Sequence, residues 1–245
     1  MFRNLEIKEG AFVVADAHYS HKRPELLDFL KAIYSGEFKP TQLFFMGDIF
    51  DALFGEVPYT HNENKEAIEI LNALSKEMEI FYFEGNHDFN LSKIFPNIKI
   101  FPINSQPARF LYGSKKILLA HGDIENRLLY RAYTALIRNR YFLHFLATID
   151  FLLKHTILKK LDAYLSQKKD CKEFIGFESF IANRLALKYE CDYFVEGHFH
   201  QNKMVLLQKY RYFNLGAFAC NQRYFVVKSL QETEFLEENI FSKGN

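Results

Sequence analysis

The chain has no tryptophan, so its aromatic packing must come from 27 Phe and 14 Tyr. Cysteine is scarce. Cys171, Cys191 and Cys220 are an odd number without metal-type spacing, which suggests small apolar fillers in a reducing cytoplasm more than a disulfide framework. Neither sign of charge prevails, with 31 basic residues against 30 acidic. Wholesale nucleic-acid binding, which a strongly basic protein advertises, therefore has no support and no nucleic-acid partner is expected. Met1 to Gly10 carries Arg3, Glu6, Lys8 and Glu9 and lacks the apolar core of a secretory signal. Internal repeats and low-complexity linkers are missing. A spanning helix needs ~20 mostly apolar residues, and Arg138, Arg140 and Asp150 break the longest apolar stretch. Proline is absent from Asp123 to Gln201, which leaves helices there uninterrupted. At 245 residues the chain exceeds the usual ~100 to 200 of one domain, but a large α/β unit with an insertion accommodates it.

Against this background stand five clusters of metal-ligating residues: Asp16-Ala17-His18, Gly47-Asp48-Ile49-Phe50-Asp51, Gly85-Asn86-His87-Asp88, His121-Gly122-Asp123 and Gly197-His198-Phe199-His200. Four follow runs that read as buried strands, Phe12 to Ala15, Leu43 to Met46, Ile80 to Phe83 and Ile117 to Ala120, and the fifth follows Tyr193-Phe194-Val195. Strand ends on one sheet edge are where an α/β fold gathers side chains from distant parts of the sequence. Taken singly each cluster is weak: Gly47-Asp48 could be a turn or a helix cap, and His198 and His200 could line an exposed strand. Coincidence of all five, each after a strand, is the least plausible account.

Carboxylate, imidazole and amide oxygen without thiolate suit Mn, Fe, Co or Zn. Two divalent cations held ~3.5 to 4 Å apart need a shared anionic ligand to offset their repulsion. Asp48 is the natural bridge. Asp16, His18 and His200 then complete one site, and Asn86, His121 and His198 the other. A hydroxide between two such ions attacks phosphorus at neutral pH. His87, beside Asn86, is placed to protonate the leaving group or to contact the phosphate, and Asp51, Asp88 and Asp123 to orient ligand imidazoles. The order of these motifs resembles the calcineurin-like metallophosphoesterases from Asp16 to His200. The resemblance implies an α/β sandwich of two mixed sheets flanked by helices, four layers in all, built as a single domain over 1–245.

Between His121 and His198 apolar residues recur at helical spacing through Leu129, Tyr133, Leu136 and Ile137, then Leu143, Leu146 and Ile149, then Leu153, Ile157, Leu158 and Leu161. Two or three helices over 126–169 are expected as a lid above the metals, with another from Lys172 to Tyr189 leading back. Asn126 to Lys169 holds nine basic residues and two acidic, a net +7, so the rest of the chain carries −6 of the overall +1. Clustered Arg and Lys among Phe and Leu suit an acylated anionic ligand or an anionic membrane surface. A core-packing hairpin with a solvated basic face is the plainer account.

This insertion, Gly55 after the second motif, Tyr130 with Tyr133, and Leu215-Gly216-Ala217-Phe218 resemble the UDP-2,3-diacylglucosamine hydrolase branch of the family. That resemblance implies cleavage of an acylated UDP-sugar to UMP in lipid A biosynthesis, with manganese the expected metal, by an enzyme peripheral on the cytoplasmic face of the inner membrane. Arg127, Tyr130, Arg131, Tyr133 and Arg138 are then the candidates for substrate contact. A soluble phosphodiesterase or nuclease, or a membrane-binding scaffold, are the competing functions. Elsewhere, Pro24 to Tyr34 and Asn62 to Lys76 read as helices, Val57 to Asn64 as a loop, and Tyr210 to Phe213 and Arg223 to Val227 as strands completing the second sheet.

Overall fold

A computed structural model describes residues 5–123, 128–167, 171–185, 189–229, 231–232 and 234–242, with side chains left out at 128–131. The first half runs β1 (Leu5–Glu6), β2 (Phe12–Val14), α1 (Glu25–Tyr34), β3 (Leu43–Phe45), β4 (Leu53–Phe54), α2 (Pro58–Glu63), α3 (Lys65–Leu74), β5 (Ile80–Phe83), β6 (Asp88–Phe89), β7 (Lys99–Phe101), β8 (Ala108–Tyr112) and β9 (Lys115–Ala120). The second half runs α4 (Leu128–Ile137), α5 (Arg140–Leu152), α6 (Thr156–Leu165), α7 (Phe177–Leu185), β10 (Tyr193–Glu196), β11 (Lys203–Leu206), β12 (Arg211–Asn214), α8 (Phe218–Asn221), β13 (Arg223–Val227) and β14 (Leu236–Ile240).

Two six-stranded mixed sheets form, in the orders β14-β13-β2-β3-β5-β7 and β1-β8-β9-β10-β12-β11. Alternation decides which side chain serves which layer. Val13, Phe44, Phe81 and Phe83 point between the sheets and meet Phe110, Ile117, Leu119 and Val195 of the other sheet. Their neighbours Phe12, Val14, Phe45 and Tyr82 face outward, onto α1 and α3. Behind the second sheet, Leu118, Ala120 and Phe194 pack on Phe177, Ile181 and Leu185 of α7. Strands covered on both faces must be apolar throughout, which is why β2, β3 and β5 read as unbroken hydrophobic runs. Phe44 stacks on Phe81 at 4.7 Å and meets Phe110 across the sheets at 5.5 Å, so phenylalanine does the filling that tryptophan does elsewhere.

The insertion forms three helices, as its periodicity predicts. Asn139 caps α5 by accepting from the backbone N–H of Tyr141 and Phe142, and buried Asp150 accepts from Ile157 and Leu158 at the start of α6. Leu143 packs with Val57 and Phe89, fastening the insertion to the small β4-β6 sheet. No single described helix is long and apolar enough to cross a membrane; α5 and α6 pass that test only together, bent by 103°.

Several expectations need correction. Cys171 and Cys220 are joined in a disulfide across 49 residues, leaving Cys191 free; linear spacing cannot reveal a bridge between segments that only the fold brings together. The segment at Val57 to Asn64 is mostly helix, because Pro58 occupies a first-turn position where its ring favours helix. The return helix begins later than expected, at Phe177 after Gly176 at φ 80°, and residues 186–188 of its expected span lie outside the described residues. Of the two late strands, β12 joins one sheet and β13 the other.

Phe44→Ala is expected to lower unfolding free energy by about 3–5 kcal/mol in urea melts. Tyr141→Ala, at a side chain 88% exposed on α5, should change it by no more than about 0.5 kcal/mol.

Candidate metal centre

β2, β3 and β5 run parallel in one sheet, β9 and β10 in the other, and the loops leaving their ends carry all five motifs. The loops are stitched together. Asp16 N–H donates to the Gly47 carbonyl at 3.1 Å and His18 N–H to that of Asp48 at 3.0 Å. Across the sheets, His198 N–H donates to the Asp16 carboxylate at 3.0 Å, and His121 Nδ1 lies 2.8 Å from the Met46 carbonyl. Two glycines are needed for closeness. A Cβ at Gly85 would run into the Asp48 carboxylate, and one at Gly197 into that of Asp16. Asp16, His18, Asp48, His198 and His200 all hold positive φ, between 46° and 65°, a costly conformation for non-glycine residues that persists where surrounding structure imposes it.

Two ligand groups result. Asp16, His18 and His200 present donor atoms within 4.8 Å of one another, as do Asp48, His121 and His198. His200 Nε2 is 3.1 Å from Asp16 Oδ1, and His121 Nε2 is 3.5 Å from Asp48 Oδ2 and 3.4 Å from Asn86 Oδ1. Among the described residues Asn86 adjoins the second group through His121, and His18, Asp51 and His87 form a third group that meets the same distance. Their chemistry fits a divalent cation. His18 Nε2 is buried without a hydrogen-bond partner, an arrangement that costs free energy unless something takes the lone pair. The Met46 carbonyl, accepting from His121 Nδ1–H, leaves that ring's Nε2 lone pair facing Asp48 and Asn86.

Burial would lower the His121 pKa, but without a cation the Asp48, Asp123 and Asp16 carboxylates outweigh it and raise that pKa well above its ordinary value, so His121 would release a proton on binding a metal. Burial would raise the Asp48 pKa, but the imidazoles of His121, His87 and His18 outweigh it and hold the carboxyl well below its usual range. Burial acts the same way on Asp16 and is overcome by His200. Burial, aided by the neighbouring His121, pushes His198 down to about 4, so at neutral pH this imidazole is unprotonated and able to bind a metal.

The supporting carboxylates divide their work differently from expectation. Asp51 lies 3.2 Å from His18 Nδ1, where it can orient that ring. Asp88 instead braces backbone: its carboxylate accepts from Asp48, Ile49, Phe50 and Gly85 N–H and from Tyr82 Oη–H at 2.6 Å. Asp123 pairs with Arg138 at 3.3 Å. His87 Nδ1 is 2.8 Å from the Asp51 carbonyl, and its ring stands 4.9 Å from that of His18. Among the expected substrate contacts, Tyr133 is 58% exposed, whereas the Arg138 side chain, 10% exposed, is engaged with Asp123 and the Gly85 carbonyl. Arg127 and the side chains of Tyr130 and Arg131 lie outside the described residues.

Other functional neighbours had little sequence signal. Gln106 accepts from His121 N–H at 2.6 Å, and Asn214 donates to the Gly197 carbonyl at 2.6 Å. Only Glu196 had a visible mark, an acid ending an apolar strand directly before Gly197-His198.

A sequence profile of the calcineurin-like phosphoesterases matches residues 11–202. A UDP-2,3-diacylglucosamine hydrolase from Blochmanniella pennsylvanica is 23% identical over 86% of this chain and 88% of its own length. The protein of that name from Vibrio cholerae serotype O1 is 22% identical over 77% of this chain and 80% of its own length. Among solved structures, the E. coli phosphoesterase Yfce covers 95% of this chain and 99% of its own at 13% identity and a TM-score of 0.46.

Gly197→Ala should weaken divalent-cation binding by about tenfold or more, because the added methyl displaces the Asp16 carboxylate. Equilibrium titration of the metal-stripped protein checks this.

Proposed function

Because the chain belongs to the calcineurin-like phosphoesterases, a family of metal-dependent hydrolases, we propose that it cleaves UDP-2,3-diacylglucosamine to UMP and 2,3-diacylglucosamine 1-phosphate, using two manganese ions. One juxtaposition carries the proposal: candidate ligands for two cations stand on loops that Arg138 joins to a helical segment rich in exposed apolar and basic side chains. Tyr141, Phe145, Phe151, Leu152, Ile157 and Tyr164 are all exposed on α5 and α6, among Arg140, Lys154, Lys159 and Lys160. Such a surface suits acyl chains beside an anionic headgroup. The names of the curated relatives point to the same substrate.

Asp16, His18, Asp48 and His200 would hold one cation, and Asp48, Asn86, His121 and His198 the other. Bound there, the pair supplies Lewis acidity and lowers the pKa of water. The protein's own groups do the rest. Asp48, kept ionised, would be the anion both sites share. The Asp51 carbonyl would hold the Nδ1–H of His87, so that with the ring protonated at both nitrogens Nε2–H is the group that would give its proton to the departing phosphate oxygen, leaving a neutral imidazole. Asp51 keeps His18 in place and Asp88 keeps the Asp48 turn in place. In this proposal the insertion acts as a lid, and Tyr133 with Arg127, Tyr130 and Arg131 contacts the substrate.

We place the enzyme on the cytoplasmic surface of the inner membrane, supported by the apolar and basic faces of α5 and α6. The Cys171–Cys220 disulfide speaks for an oxidising compartment instead; cell fractionation combined with thiol trapping decides between them.

The manganese-loaded protein is expected to release UMP from UDP-2,3-diacylglucosamine, and Asp48→Ala or His121→Ala to abolish that release. His87→Ala should lower kcat by about 10²- to 10⁴-fold. Turnover of a water-soluble nucleotide diester with no UMP from the acylated nucleotide would overturn the substrate assignment. Replacing Phe151 and Leu152 together by serine should raise KM for the acylated substrate about tenfold, the equivalent of ~1.4 kcal/mol of lost apolar contact. KM for a chromogenic phosphodiester should stay put, and an unchanged ratio would make these side chains bystanders.

A further inference from the structure

His121-Gly122-Asp123 lies between two guanidinium groups that come from separate points of the helical stretch joining β9 to β10. Arg138, between α4 and α5, donates from Nη2 to the Gly85 carbonyl at 2.9 Å and pairs with Asp123 at 3.3 Å. Its guanidinium also covers the Phe89 ring at 5.2 Å. Arg184, on α7, donates from Nη1 to the Gly122 carbonyl at 3.3 Å and from Nη2 to Glu196. It sits 5.2 Å over the ring of Phe199. Glu196 is fully buried and accepts a further hydrogen bond from Tyr212 at 2.7 Å.

The attachment points are selective. Gly85 precedes Asn86, Gly122 follows His121, and Glu196 lies two residues before His198. Those three ligands make up one metal's own set, distinct from Asp16, His18 and His200. We propose that Arg138 and Arg184 are positioning residues for that second metal, and that the helices joining β9 to β10 are thereby part of its support as well as a cover. The physical reason is burial. A guanidinium shared between a carbonyl and a carboxylate in a place with little water fixes both partners in direction and distance, and groups that hold ligand-bearing backbone act on metal affinity almost as the ligands do. Removing either arginine leaves a buried carboxylate unpaired, and the local backbone must move to hydrate it.

The inference rests on the assignment of Asn86, His121 and His198 as metal ligands, and its test reads metal directly, not turnover. Manganese titration of the stripped protein, followed by calorimetry and low-temperature electron paramagnetic resonance, should give two equivalents and an exchange-coupled signal for the unaltered chain. Arg184→Gln and Arg138→Gln should each weaken one equivalent about tenfold or more, leaving a mononuclear manganese signal. The equivalent lost should be the one that His121→Ala removes, and the one removed by His200→Ala should be retained. Arg184→Lys, which keeps the charge beside Glu196, should recover part of the loss. Two unchanged affinities in the glutamine variants, or a parallel decline of both equivalents in step with thermal stability, overturn the proposal. Should Arg184→Gln fail to fold, Arg138→Gln carries the same test, since it leaves the Arg184–Glu196 pair intact. Absence of metal binding by the unaltered chain would instead overturn the ligand assignment itself.

Discussion

Asp48 is an anion with almost no water around it, and the loops of this protein are arranged to keep it charged. A carboxylate taken out of solvent neutralises itself unless opposite charge or donated hydrogen bonds compensate. Here compensation arrives from two other strand ends, those of β5 and β9. His87 N–H donates to Asp48 Oδ1 at 2.8 Å, His121 approaches Oδ2, and Gly85 has no side chain where that carboxylate lies. Asp88, beneath, takes the N–H groups of the same turn and thereby fixes where Asp48 can point. The interaction is mutual, because each partner is held by the anion it stabilises.

Such a centre can be assembled only where two sheets end together. Neither sheet holds a full ligand set: β2, β3 and β5 deliver Asp16, His18, Asp48 and Asn86, while β9 and β10 deliver His121, His198 and His200. The phenylalanine layer between the sheets, led by Phe44, Phe81 and Phe110, therefore governs function at a distance, since it sets how far apart the two groups of loops stand. The left-handed backbone at five ligand positions is local strain that this packing must support.

Much of this was legible in the sequence because apolar runs and their terminal motifs are local. Phe12 to Ala15, Leu43 to Met46 and Ile80 to Phe83 announced strands, and each ended in residues whose chemistry had no other evident use. The helical period of the insertion was equally plain. What remained hidden depends on distance in space. The Cys171–Cys220 bridge, Gln106 under His121 and Arg138 on the Gly85 carbonyl each join segments with no shared pattern. Asp88 shows a subtler limit. Its place in Gly-Asn-His-Asp marked it as part of the site, but only coordinates reveal that it serves backbone amides, because an acid's partner is not written in its own position.

The insertion stands apart from the rest of the molecule in how its residues are explained. Inside the sandwich nearly every large apolar side chain is buried, and folding accounts for it. On α5 and α6, Tyr141, Phe151, Leu152 and Tyr164 face outward, where they contribute nothing to a core. The surplus of arginine and lysine along the same segment adds like charges close together, which is unfavourable for the chain alone. Both features cost the free protein something, and both costs would reverse under the anionic, apolar surface proposed above. Arg138 joins that same segment to Asn86 and His121 through the Gly85 carbonyl and Asp123. The part of the chain with the least reason of its own to be ordered is thus fastened to the part that demands the most order.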